Sequence, residues 1–88
     1  MKRARVELIY DILCTIRDSN GAIRPTRLLY KANLSHEALK RYVAELIATG
    51  LLEERSHKDH KIYALTEKGY EFLEKYRHFK EFSDAFGI

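Results

Sequence analysis

Arg24-Pro25-Thr26-Arg27-Leu28-Leu29-Tyr30-Lys31-Ala32-Asn33-Leu34-Ser35-His36-Glu37-Ala38-Leu39-Lys40-Arg41-Tyr42-Val43-Ala44-Glu45-Leu46-Ile47-Ala48 is the stretch that decides the fold of this 88-residue chain. Pro25 suits the first turn of a helix, where its missing N–H leaves no hydrogen bond unmade. Leu28, Leu29 and Ala32 mark that helix's inward face, and Asn33 and Leu34 make a turn in which Leu34 plugs the angle to the next helix. Ser35 suits the cap of a second, longer helix, because its hydroxyl accepts a free backbone N–H two or three residues on. The spacing predicts that this helix buries Leu39, Tyr42, Val43, Leu46 and Ile47. At 100° per residue its opposite face carries Glu37, Arg41, Ala44 and Ala48, flanked by Lys40 and Glu45. A short helix, a tight turn and a longer helix with cations outside form the layout of a helix-turn-helix. That device presents side chains to the DNA major groove.

Upstream, Leu8, Ile9, Ile12, Leu13 and Ile16 recur at three- and four-residue steps, which predicts a helix from Arg3 or Ala4 to Arg17. Asp18-Ser19-Asn20-Gly21 ends it, and Ala22-Ile23 reads as a short extended segment. Downstream, Gly50 stops the longer helix. Leu51 to Arg55 and Lys61 to Leu65 then read as two strands joined by Ser56-His57-Lys58-Asp59-His60, a polar connection of hairpin length. The hairpin is a wing. The expected fold is therefore mainly α with a small β-hairpin: a winged helix-turn-helix with a three-helix core over residues 1–65.

Thr66 caps a final helix, with Glu67 in its first turn, running to about Ser83. Phe72, Tyr76, Phe79, Ser83 and Phe86 follow one another at steps of four, three, four and three, and Leu73 and Phe82 widen the stripe. A seam of that period resembles the edge of a coiled coil. Phe72, Leu73 and Tyr76 can cover the first helix, whereas Phe79, Phe82 and Phe86 lie further along the rod. Exposed phenylalanines at this density call for a cover. Residues 66–88 are accordingly expected to be a dimerisation element, with Phe72, Tyr76, Phe79, Phe82 and Phe86 at the interface.

Composition narrows the function. The chain is 45% hydrophobic and 33% charged, as a folded domain is, and no run is apolar for long enough to span a membrane. The N-terminus lacks the apolar segment of a signal peptide, and the single Cys14 suits a reducing cytosol, so a cytoplasmic, nucleoid-associated location is expected. Of the net charge of +3, residues 24–61 carry +3, with +1 before them and −1 after. The excess lies where a nucleic-acid surface is needed.

No Gly-rich phosphate loop, Ser-His-acid set or paired carboxylates point to an enzyme. His57, Asp59 and His60 lack the further ligand that a zinc site requires, so neither metal nor cofactor nor small-molecule ligand is implied. Double-stranded DNA is the expected partner. His36, Glu37, Lys40 and Arg41 are placed to reach base edges or flanking phosphates, although for Glu37 service to the helix dipole alone is the favoured role. Thr26 and Arg27 are placed for phosphates, Ser35 at the start of the longer helix belongs to the same DNA-binding set, and Arg55, His57, Lys58 and Lys61 bring the wing against the backbone or the minor groove. Arg3 and Arg5 are candidates for a basic arm. A winged helix used for protein–protein contact is the rival, since it needs the same core.

The runs Thr26-Arg27-Leu28-Leu29-Tyr30-Lys31-Ala32-Asn33-Leu34-Ser35 and Tyr63-Ala64-Leu65-Thr66-Glu67-Lys68-Gly69 resemble an archaeal winged helix-turn-helix family. That family includes small Sulfolobus DNA-binding proteins that dimerise through a long C-terminal helix. Val6-Glu7-Leu8-Ile9-Tyr10-Asp11-Ile12-Leu13 and Gly50-Leu51-Leu52-Glu53 are similar too, so the resemblance covers almost the whole chain. It implies an archaeal chromatin-associated or transcription-regulating homodimer. The last helix is shorter here than a long coiled-coil rod needs, which leaves the dimer geometry open.

Overall fold

A computed structural model describes residues 4–88. The elements run α1 (Arg5–Arg17), β1 (Ala22–Ile23), α2 (Pro25–Ala32), α3 (His36–Ala48), β2 (Leu52–His57), β3 (His60–Leu65) and α4 (Glu67–Ala85). The three strands form one antiparallel sheet in the order β1-β3-β2, with Ile23 opposite Tyr63 and Leu52 opposite Leu65. This is a winged helix-turn-helix.

The helix-turn-helix forms as its residues dictate. Pro25 opens α2, Asn33 ends it in the left-handed region at φ 54°, and the Ser35 hydroxyl accepts the Ala38 N–H at 3.1 Å. Asparagine tolerates that φ where a β-branched residue would not. The core gathers Ile12, Leu13 and Ile16 of α1, Leu28 of α2, and Leu39, Val43 and Leu46 of α3. Ile23, Leu52 and Leu65 of the sheet and Leu73 of α4 complete it. Tyr42 and Ile47, expected inside, are half-buried at its rim.

The wing turn is tighter than the expected five-residue connection. Its strands extend to His57 and from His60, so the five-residue connection reduces to Lys58-Asp59. Both residues have positive φ, 50° and 65°. A two-residue turn with both centres in that region matches the right-handed twist of the flanking strands. Lysine is an unusual occupant of such a turn, and this hid it from the sequence.

The Leu-Thr-Glu-Lys-Gly run at Leu65–Gly69 fastens α4 to the end of α3. Thr66 Oγ1 donates to Gly50 O at 2.5 Å and accepts the Gly69 N–H at 3.0 Å, while Lys68 Nζ donates to Thr49 O at 2.9 Å. Gly69 lies against the α3–β2 connection: a Cβ there would sit 2.3 Å from Leu51 O. Only glycine allows the helix to approach so closely.

From this junction α4 runs over α1 and beyond it. Leu73 is 3% exposed, Phe72 packs on the core, and the Tyr76 ring lies 4.7 Å from that of Tyr10. Phe79, Phe82 and Phe86 are 61%, 58% and 69% exposed. The helix continues two residues past Ser83, to Ala85.

Candidate nucleic-acid interface

The start of α2, the N-terminal half of α3 and strand β3 enclose a groove of about 300 Å³. Thr26, His36, Lys40 and Lys61 line it, over a floor that includes Pro25, Leu29, Leu39, Val43 and Tyr63. Four of the expected contact residues, from three separate segments, thus meet on one surface. Their positions follow from the local structure. The αL turn at Asn33 sets α3 across α2, and the cross-strand register places Lys61 on the same face as the buried Leu65.

The remaining expected residues are distributed around this groove. Ser35 spends its hydroxyl on the α3 cap, so it orders the helix that carries His36 and Lys40. Glu37 is exposed in the first turn of α3. Arg41 is also exposed, and its guanidinium lies 5.8 Å from the centre of the Tyr42 ring, within cation–π range. Lys58 stands at the wing turn. Arg27 and His57 line a different depression, on the far side of α2.

Two charges behave differently from the sequence picture. Arg55 is ion-paired with Glu53, and Lys61 lies 3.5 Å from Glu54, so two of the wing's cations are partly compensated within the hairpin. Arg55 and Glu53 are two apart on one strand and share a face. Lys61 and Glu54 sit diagonally across the ladder, a spacing long side chains bridge. Arg5 is the first residue of α1 and pairs with Glu45 of α3, so it is no free arm. Arg3 lies outside the described residues.

The depression beyond α2 is one that sequence reasoning named only in part. It lies between the Asp18–Asn20 turn, β1, α2 and the outer face of the hairpin, and Arg24 and Lys31 line it with Arg27 and His57. The sequence signal was present in the spacing: positions 24, 27 and 31 fall on one side of a helix. His57 and His60 face each other as the last pair of the wing ladder. Among the described residues no three His, Cys, Asp or Glu side chains group to hold a metal ion, and no helix is long and apolar enough to cross a membrane.

The profile of the winged helix-turn-helix family matches residues 2–84. The chain belongs to the winged helix-turn-helix family. An uncharacterized protein of Methanocaldococcus jannaschii is 34% identical over 68 residues, which are 77% of this chain and 64% of that one. The match thus spans slightly less than two thirds of that relative's length. Among solved structures, Sso10a-2, a DNA-binding protein from Sulfolobus solfataricus, superposes with a TM-score of 0.78 at 27% identity. That superposition covers 96% of this chain and 85% of the other. F93 from STIV, a winged-helix DNA-binding protein, gives a TM-score of 0.78 at 26% identity over 91% and 92% of the two chains. Both likenesses extend well into α4.

Proposed function

We propose that this winged helix-turn-helix protein binds duplex DNA as a homodimer and acts as a transcriptional regulator or chromatin-associated protein in the cytoplasm. It performs no catalysis. The observation that carries this reading is the groove itself: Thr26, His36, Lys40 and Lys61 converge beside the exposed N-terminal half of α3. The DNA-binding descriptions of Sso10a-2 and F93 support it.

In this reading the N-terminal half of α3 enters the major groove. Lys40 and Arg41 meet guanine edges or flanking phosphates, His36 and Thr26 reach the adjoining backbone, and the wing follows with Lys58, Arg55 and Lys61. Residues 1–65 read DNA and residues 66–88 join two copies. Phe79, Phe82 and the C-cap residue Phe86 form the centre of the joint because they are the most exposed aromatics of this segment. Phe72 and Tyr76 already rest on the body of their own chain and flank it.

The test is fluorescence anisotropy with duplex DNA over a salt series, combined with light scattering. Lys40→Ala with Arg41→Ala is expected to weaken binding several-fold or more with the fold intact, and Phe82→Lys is expected to halve the particle mass. Unchanged affinity at low salt removes α3 from the interface. A monomeric wild-type chain removes the joint, and no duplex binding at low salt turns the reading towards a protein-binding module.

A further inference from the structure

We infer that the depression beyond α2 is a second phosphate-binding surface, along which the backbone of the same duplex continues past the α3 groove. This rests on the nucleic-acid reading above and extends it to residues outside the groove, Arg24, Lys31 and Tyr30.

The geometry of α2 sets the two surfaces back to back. Leu28 is fully buried and defines the inward direction of the helix. At 100° per residue Leu29 and Thr26 fall to one side and line the groove, while Arg27 and Lys31 fall to the other and line the depression. Between them Tyr30 stands on the crest, 88% exposed. In a helix-turn-helix the first helix crosses the DNA backbone while the second lies in the groove. A strand of phosphates crossing α2 therefore passes over the Tyr30 phenol, a hydrogen-bond donor, and descends on the side of Arg24, Arg27 and Lys31.

The charges there are available. Arg24, Arg27 and Lys31 make no ion pair with any described residue, in contrast to Arg55 and Lys61 on the wing. The acid beside them, Asp18, is engaged by Arg17 at 3.3 Å. Three cations without an ion pair among the described residues, beside a wall that carries His57, make an anion surface, and a duplex seated on α3 is the polyanion within reach.

The test separates this inference from the reading beneath it. Anisotropy is measured with a random-sequence duplex of about 30 base pairs across a salt series, for wild type and for Arg24→Gln with Lys31→Gln. Each phosphate neutralised contributes about 0.9 to the slope of log affinity against log salt. The double variant is expected to lose on the order of ten-fold in affinity and about two units of that slope. Arg24→Lys with Lys31→Arg, which keeps the charge, is expected to restore both, and circular dichroism should show the same helix content in all three. A wild type that binds with a steep salt dependence and a double variant that matches it overturn this inference alone. A wild type without salt-dependent binding overturns the nucleic-acid reading and this inference together.

Discussion

The two halves of α4 are built from similar residues and meet different fates. Gly69, Phe72, Leu73 and Tyr76 in the first half are buried or half-buried on α1 and the α3–β2 connection. Phe79 and Phe82 in the second half, and Phe86 at its C-cap, continue the same spacing into solvent. The periodicity of one helix therefore does two jobs, and nothing within the stripe marks where the first ends. The boundary falls at Tyr76, which meets Tyr10 in the middle of α1, and beyond that contact the aromatics stand exposed. Amphipathic spacing tells which face is apolar, and only the neighbouring element tells how much of that face is covered.

That contrast can be broken most strongly by truncating one residue from each half. Leu73→Ala is expected to cost about 2–5 kcal/mol, as a buried leucine truncation does. Phe82→Ala, measured at concentrations where the chain is monomeric, should cost less than about 0.5 kcal/mol, since an exposed side chain has little buried area to lose. Urea melts of the two variants settle it, and equal losses would mean that the second half is packed too.

A smaller effect sharpens the role of the junction. In a solvent-exposed helix Gly→Ala is stabilising by about 1 kcal/mol. Gly69→Ala is expected to reverse that sign and destabilise by about 1–3 kcal/mol, because its Cβ would press on the Leu51 carbonyl. A melting temperature that rises would show that α4 is free to shift away from the connection.

The smallest effect lies on the outer face. Glu71 pairs with Lys75 one turn on, at 2.9 Å, and the hydrogen bond and charge of the lysine hold its carboxyl below the ordinary value of 4.5. A carboxylate lowered in the folded state contributes stability above its unfolded value, and that contribution is lost as pH falls through the folded one. Glu71→Gln should therefore change the melting temperature least of these variants at pH 7, and not at all once the pH is well below 4.5. A difference that widens on acidification would contradict this.

Much of the fold was legible because its signals are local. The αL asparagine at 33, the hydroxyl caps at Ser35 and Thr66 and the stop at Gly50 each act within a few residues, and each stands where the sequence places it. The wing turn was not legible, because Lys58 takes a left-handed conformation that its side chain does not advertise. Charge was legible in amount and not in availability. Arg55 and Lys61 count as cations in the sequence, yet their partners Glu53 and Glu54 depend on face and register. That Arg24 and Lys31 line one depression depends on the wall that β1 and the hairpin close beside α2. The Leu65–Gly69 run resembled a family motif, and its physical content is a fastening between two helices.

That fastening makes α4 a lever. Its 19 residues span about 28 Å, and its inner end is pinned by Thr66 and Lys68 to the last turn of the helix that faces the groove. The contact of Tyr76 with Tyr10 is the fulcrum, and the aromatic tip is the free arm. The shortest route from the tip to the C-terminal end of α3 therefore runs through the side chains of Thr66 and Lys68.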